Sequence, residues 1–284
     1  MPHLDENAIR THPLCGPLDR MPAEYRGPRR LGRDGWLNFV QRLGRGEEID
    51  LVRAATAGGR RILDVGGGTG ELTRAVAAES GRCTTVEPHR DRVATLHLAT
   101  EAEGAGVIEA FPGRAESLPF PDASFDVVFS TWVLPFVDDL QRSVREMARV
   151  CDLSDPGARI LLIGGAPDNE LINILNEVCA PIAGEPYDHH GFLLVTAAEI
   201  LAEEGFRRFA LQRTESALHF PEISLEERID AACTVLVDFW YEGHPRAADM
   251  RSALRPAVRG HFERRPHAIG DQGTVLVARP GAPS

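Results

Sequence analysis

The chain has 284 residues and a formal net charge of −11, with 43% hydrophobic and 26% charged residues. That length and mix support a sizeable globular core and exclude disorder as the default state. Every fixed positive charge is an arginine, since the chain has no lysine. An acidic balance argues against nucleic-acid binding, which depends on neutralising phosphates, and against attraction to an anionic membrane.

The five cysteines, Cys15, Cys83, Cys151, Cys179 and Cys233, show no CxxC pair and no Cys/His ligand spacing. No metal site and no disulfide framework are therefore expected, and reduced thiols in a cytoplasm fit best. The opening Met1–Asn7 lacks the basic start and apolar stretch of a secretory signal. No apolar run approaches the ~18 residues that a membrane span needs.

Residues 1–30 are rich in Pro, Arg and Gly and read as an irregular arm or short helical lid. The Arg26–Arg33 run reads as a solvated face of it. From Trp36 the pattern tightens, with Trp36, Phe39, Val40 and Leu43 at helical spacing. Strands and helices then alternate: strand Arg61–Val65, helix Glu71–Ser80 with Gly81 as its stop, strand Arg82–Glu87, helix Arg90–Glu103, strand Val107–Phe111. Phe125–Thr131 is apolar enough for burial on both faces. Val137, Leu140, Val144, Met147 and Cys151 mark one face of the next helix, and Ala158–Gly165 is a fifth strand. This alternation predicts an α/β fold: a Rossmann-like, doubly wound, mostly parallel seven-stranded sheet.

Asp168–Val178 is a further helix, and residues 181–194 read as a loop of unusual composition. Thr196 and Glu199 form a capping box for a helix stopping at Gly205. Phe206–Arg213 and Gly273–Arg279 are the last strands, separated by helices that a second capping box, Ser224 with Glu227, opens. The expected organisation is an N-terminal helical arm or lid over 1–45, then one domain over 46–284 with a helical insertion at about 217–270 before the last strand.

The most informative stretch is Asp64-Val65-Gly66-Gly67-Gly68-Thr69-Gly70. Glycines here permit a tight strand-to-helix turn and a close backbone approach to a ligand. The spacing fails the dinucleotide fingerprint G-x-G-x-x-G, because the sixth position is Glu71 or Leu72 in the two registers. The P-loop pattern fails for want of a lysine. Asp64 and Glu71 flank the loop with negative charge, which suits an ammonium and a sulfonium better than a pyrophosphate. About 20 residues on, Glu87 ends the next strand, where an acid can bond both ribose hydroxyls, and Pro88 offers a face to a purine.

With Gly113-Arg114-Ala115-Glu116-Ser117-Leu118-Pro119-Phe120 and Phe125–Asp139 added, the chain resembles class I S-adenosylmethionine-dependent methyltransferases of the ubiquinone/menaquinone-methylase-like group. The resemblance spans roughly 60–165. It implies S-adenosylmethionine as cofactor and S-adenosylhomocysteine as product. Asp64 would lie near the methionine amino group, Gly66 and Gly68 under the methionine part, Glu87 on the ribose and Pro88 on the adenine. Ala115 would donate its N–H to the adenine with Glu116 beside it, and Ser130 and Thr131 would present backbone groups to the methionine. Many relatives carry Asp where this chain has Arg114, so Glu116 is the first substitute for reading the adenine amino group.

Methyl transfer chiefly requires alignment and exclusion of water. Trp132, Phe136, Glu170, Tyr187 and Tyr241 are the candidate acceptor contacts. His189 and His190 are the candidate bases, because histidine titrates near neutrality. The acidic surface, absent lysines and lid-like insertion favour a small, partly hydrophobic organic acceptor from a biosynthetic, secondary-metabolic route over nucleic acid. The alternatives are a peptide or protein methyltransferase and a non-catalytic cofactor-binding regulator. The arm is a candidate for exchange between subunits of a homo-oligomer.

Overall fold

The computed structural model describes residues 4–16, 18–29, 32–103 and 106–281. The elements run α1 (Glu6–Arg10), α2 (Arg33–Val40), β1 (Leu43–Gly44), α3 (Gly46–Thr56), β2 (Ile62–Val65), α4 (Glu71–Ser80), β3 (Arg82–Glu87), α5 (Arg90–Glu103) and β4 (Val107–Pro112). There follow β5 (Val127–Thr131), α6 (Leu140–Val150), β6 (Arg159–Gly165), α7 (Glu170–Ala183), α8 (His190–Glu203), β7 (Phe206–Thr214) and β8 (Ala217–His219). The chain closes with α9 (Leu225–Tyr241), α10 (Ala247–Arg264), β9 (Ala268–Gly270) and β10 (Gly273–Pro280).

Seven strands form one sheet in the order β4-β3-β2-β5-β6-β10-β7. The first five are parallel, while β10 runs antiparallel to both β6 and β7. This is the mostly parallel, doubly wound α/β sheet expected from the alternation. Every residue of β2 and β6 is buried, as strands covered on both faces must be. The order reverses at β2, so the carboxyl ends of β2, β3 and β5 open a crevice, the usual ligand position in such sheets. Gly70 and Gly81 delimit α4 and both hold left-handed backbone, φ 81° and 83°, which glycine adopts without a Cβ penalty.

A second, three-stranded sheet of order β1-β8-β9 was not anticipated. It fastens the start of α3 to the region between β7 and β10. There α9 and α10 pack on each other, α9 on α2 and α10 on α7. The α2–α9 contact is close: Phe39 stacks on Phe239 with centroids 3.8 Å apart, and a Cβ on Gly35 would lie 2.1 Å from the Asp238 carbonyl oxygen. Residues 181–194 depart from expectation. Helix α7 continues to Ala183, and α8 already begins at His190, with Thr196 inside it. The His189 ring, not a Thr196–Glu199 box, caps α8 by accepting the Phe192 N–H at 3.0 Å. The apolar run after it is buried, so burial fixed the helix start upstream of the polar signal.

Described residues of the N-terminal arm pack on the main sheet and the segment after β5. Leu4 bridges to Phe209, and the Tyr25 hydroxyl donates to the Val137 carbonyl at 2.6 Å. Arg26 is exposed, as expected of a solvated face, but Arg29 is not. Arg26 pairs with Asp188, and Arg29 pairs with Asp188 and Glu185. Arg30 and Leu31 lie outside the described residues. Among the described residues no helix is long and apolar enough to cross a membrane.

The capping box at the head of α9 is complete, the Ser224 hydroxyl accepting from Glu227 N and the Glu227 carboxylate from Ser224 N. Replacing Ser224 by Ala should cost about 1 kcal/mol of stability. Urea denaturation would measure it, and an unchanged midpoint would show that α9 does not depend on its cap.

Candidate functional site

The crevice at the sheet's carboxyl ends is a cavity of about 510 Å³. Its polar half is built from the glycine loop, Glu87, Pro88, Gly113–Glu116, Thr131 and Arg45. Gly66 and Gly68 hold positive φ, 85° and 57°. A Cβ on Gly67 would fall 2.2 Å from the Thr85 hydroxyl, so the loop lies flat against β3. The Glu87 carboxylate is buried and spans the loop, accepting from Gly68 N and His89 N at 3.1 Å each. Arg92 reaches it at 3.4 Å while its guanidinium covers the Trp36 ring, 3.6 Å from the centroid.

Asp64 is buried and accepts from the Thr73 hydroxyl at 2.6 Å. Burial pushes its pKa up to about 7, with Thr73 and Arg45 working the other way and Glu87 adding to the rise. Arg45 pairs with the fully buried Glu48 and reaches the Thr131 hydroxyl at 3.5 Å. Its Nε is buried without a partner among the described residues. Acidic groups therefore flank one stretch of the cleft and a buried guanidinium another. That donor set fits a ligand carrying a ribose, a cationic ammonium and sulfonium, and a carboxylate.

The apolar half of the cavity is walled by Phe39, Trp132, Phe136, Leu171, Ile172, Phe239 and Trp240, with His190 and Asp271 as its polar members. Trp132 sits at φ 59°, a conformation costing a bulky residue on the order of 1–3 kcal/mol. It is held there by its Nε1–H on Glu48, 2.9 Å, and its N–H on the Ile163 carbonyl. Phe136 stacks on Trp240, centroids 6.0 Å apart.

His190 is buried between Trp132 and Trp240. Its Nδ1 accepts the Gly165 N–H at 2.9 Å, so the neutral ring carries its proton on Nε2. Nε2 is buried with no partner among the described residues. Burial lowers the His190 pKa to about 4; Asp188 opposes that shift, and Arg29 and His189 reinforce it. The ring is thus set as a neutral donor, the reverse of the base expected from its residue type. Asp271, in the turn between β9 and β10, is likewise buried. Burial raises its pKa to about 7, Asn169 and Arg45 opposing and Glu48 adding.

Of the residues singled out from sequence, Asp64, Gly66, Gly68, Glu87, Pro88, Ala115, Glu116, Thr131, Trp132, Phe136 and His190 line this one cavity. Ser130, expected to offer backbone groups, is not among its lining residues; its hydroxyl donates to the Val65 carbonyl at 2.9 Å. Glu116 is engaged by Asp138 N and Arg114, so it orders the loop after β5. Glu170 binds Gly270 N at 2.6 Å and Arg265 at 3.0 Å, tying α10 and β9 to α7. Tyr187 is 40% exposed, under the Arg20 guanidinium. His189 and Tyr241 line a second cavity of about 690 Å³, which shares Arg29, Pro135, His190 and Trp240 with the first. Sequence reasoning missed Arg45, Arg92, Trp36 and Asp271. Among the described residues no group of three or more His, Cys, Asp or Glu is arranged to hold a metal ion.

A doubly wound sheet with a glycine loop, an acid ending the second sheet strand and an adjoining apolar chamber defines an α/β protein of the Rossmann-like class, with a polar cleft opening into an apolar one. Comparison with known proteins narrows the class. Residues 63–155 match the family described as "Methyltransferase domain". The uncharacterized methyltransferase YcgJ of Bacillus subtilis (strain 168) is 31% identical over 142 residues, covering 48% of this chain and 55% of that protein. The ubiquinone/menaquinone biosynthesis C-methyltransferase UbiE of Hahella chejuensis (strain KCTC 2396) is 27% identical over 200 residues, covering 68% of this chain and 74% of that one. The crystal structure of YcgJ shares the fold, with a TM-score of 0.57 at 18% identity over 82% of this chain and 98% of that chain. Residues 63–155 thus form a methyltransferase domain, similar to those of the class I S-adenosylmethionine-dependent, UbiE-like group. The chain spans about half the length of most of the curated relatives it matches.

The buried titrations fix opposite pH trends. Asp271 has a folded pKa above its ordinary value, so its share of stability is full below about 4 and is lost as pH rises towards about 7. Asp271→Asn removes that dependence. It should gain up to about 3 kcal/mol more stability relative to wild type at pH 8 than at pH 5. Thermal melts at the two pH values test this, and equal differences would refute it.

Proposed function

We propose that the protein transfers a methyl group from S-adenosylmethionine to a small, partly hydrophobic organic molecule, with S-adenosylhomocysteine as co-product. The observation that carries this reading is the single cavity that joins the Glu87 and glycine-loop half to the Trp132, Phe136 and Trp240 half. Asp64, Gly66, Gly68, Glu87, Pro88, Ala115 and Thr131 would hold the cofactor, with Arg45 taking its carboxylate. The bound cofactor supplies an activated methyl on a sulfonium. The chain's own part is alignment, exclusion of water and hydrogen bonding at the acceptor. The aromatic walls and Trp240, cross-packed with Phe136 and covered by Arg29 at 4.9 Å from its ring centroid, would keep the acceptor dry and oriented.

His190 would serve as a donor, its Nε2–H reaching an acceptor oxygen. A biosynthetic acceptor agrees with the names of the UbiE relatives, which place those proteins in ubiquinone and menaquinone biosynthesis. The second cavity beyond Trp240 and His190 gives room for an extended acceptor tail. The apolar, aromatic lining of the chamber favours a small molecule over a peptide.

Calorimetric titration tests the reading: S-adenosylhomocysteine binds and NAD does not, and Glu87→Ala weakens the former about 10- to 100-fold. Absence of S-adenosylhomocysteine binding would overturn it. Separately, ¹⁵N spectra should hold His190 as the neutral Nε2–H tautomer from pH 5 to pH 8, as its Gly165 contact requires. Protonation near the ordinary histidine value would remove its donor role.

A further inference from the structure

We propose that Asp271 is the general base of the reaction, taking the proton of an acceptor that enters the apolar chamber as a neutral hydroxyl compound. The inference rests on the methyl-transfer reading above. Asp271 lines the cavity and is 5% exposed. Its position is over-determined. Its backbone N–H donates to the Ser216 carbonyl at 2.8 Å, and its Oδ1 accepts the Asn169 Nδ2–H at 2.7 Å. The Asn169 amide cannot turn, because its own Oδ1 accepts Ile172 N at 2.8 Å as the cap of α7. Asn169 therefore presents its amide N–H, and not its oxygen, to Asp271, and the same nitrogen donates to the Gln272 carbonyl at 2.9 Å.

The other oxygen, Oδ2, accepts no hydrogen bond among the described residues, and Asp271 makes no ion pair there. The charged groups acting on it are Glu48 and Arg45, already paired with each other. A buried carboxylate without a counter-ion is costly to keep. It is also what proton abstraction near neutrality needs, since burial brings its titration to about 7. Its place matters as much. Gln272 O accepts Ala166 N at 2.9 Å, so Asp271 flanks the carboxyl end of β6. The Gly165 N–H there holds His190. One end of one strand thus carries an acceptor oxygen on one side and an Nε2–H ring on the other.

The step balances. The acceptor oxygen's lone pair forms the bond to the methyl carbon, and the carbon–sulfur bond breaks with its electron pair going to sulfur, leaving a neutral thioether. The O–H proton passes to Asp271 Oδ2 and from there to solvent after product leaves. Asn169 is the positioning residue.

The test uses 2-naphthol, a fluorescent hydroxyl probe whose excited state passes its proton to a base or to water, with the emission of the free probe subtracted so that only bound probe is read, and with 2-methoxynaphthalene as the hydroxyl-free control. Both are titrated into the full chain saturated with S-adenosylhomocysteine. Wild type should bind 2-naphthol and give naphtholate emission that rises between pH 6 and pH 8, following Asp271. Asp271→Asn, of nearly the same shape, should give only neutral-naphthol emission at both pH values, bind 2-methoxynaphthalene as wild type does, and keep the wild-type affinity for S-adenosylhomocysteine. Asn169→Ala should shift the emission profile to higher pH, because it removes the hydrogen bond that favours the carboxylate. The proposal is overturned if wild type binds no 2-naphthol, if it gives no naphtholate emission, or if Asp271→Asn behaves as wild type. A lost S-adenosylhomocysteine affinity in Asp271→Asn assigns the carboxylate to the cofactor and also overturns it. Failure of S-adenosylhomocysteine to bind wild type is the separate failure of the methyl-transfer reading.

Discussion

The buried pair of Arg45 and Glu48 is the interaction around which the site is arranged. Glu48, with no exposed surface, also accepts Trp132 Nε1–H and the Ser216 hydroxyl, while Arg45 touches Thr131. One ion pair therefore joins α3, the end of β5 and the small β1-β8-β9 sheet. Burying two charges costs several kcal/mol per ion before their attraction is counted, so the pair is weak evidence for stability. Its structural effect is local. It holds Trp132 at a positive φ, which aims the indole into the acceptor chamber. It also leaves a guanidinium facing the cleft beside Asp64 and Glu71.

From that arrangement the cavity divides by polarity. The cofactor half is lined by backbone amides, short loops and carboxylates at the ends of β2, β3 and β4. The acceptor half is lined by aromatic side chains from α2, α9 and the segment after β5. The parallel strands dictate the first half, because their carboxyl ends and the helix start after the glycine loop converge there. The insertion dictates the second, because α9 buries its apolar side chains between α10, α2 and the mouth of the sheet. Gly35 permits that close approach.

The same division explains what was legible in the sequence. The strand–glycine–helix unit is local, so Asp64–Gly70, α4 between Gly70 and Gly81, and Glu87 at the end of β3 could be read from spacing alone. The Ser224–Glu227 box was legible for the same reason. Residues 181–194 were not. The polar Thr196 and Glu199 imitate a helix start, while the true cap is the His189 ring, an uncommon capping residue, before a run buried by tertiary packing. Arg45 and Asp271 were illegible for a different reason. Each is a single charge in an ordinary context: Arg45 precedes the acidic first turn of α3, and Asp271 lies in Gly270-Asp271-Gln272-Gly273, a sequence that reads as a bare turn. Only the pairing of β1 with β8, and of β8 with β9, brings them to one wall. Glu170 lies beside its expected position, but its carboxylate is consumed by Gly270 N and Arg265.

Burial acts on the two titratable residues of the acceptor half in opposite directions and makes them complementary. It disfavours the charged form of each, so His190 falls to about 4 and Asp271 rises to about 7. Near neutrality the histidine is a fixed neutral donor, whereas the aspartate divides between acceptor and donor. Residue type alone suggests the reverse assignment, histidine as the base and aspartate as a spectator anion. Hydrogen bonding removes the ambiguity: the Gly165 N–H occupies the only basic nitrogen of His190, while Asn169 occupies one oxygen of Asp271 and leaves the other. Where environments separate two groups in this way, roles follow from which lone pair remains unoccupied. In this chamber it is an Asp271 oxygen.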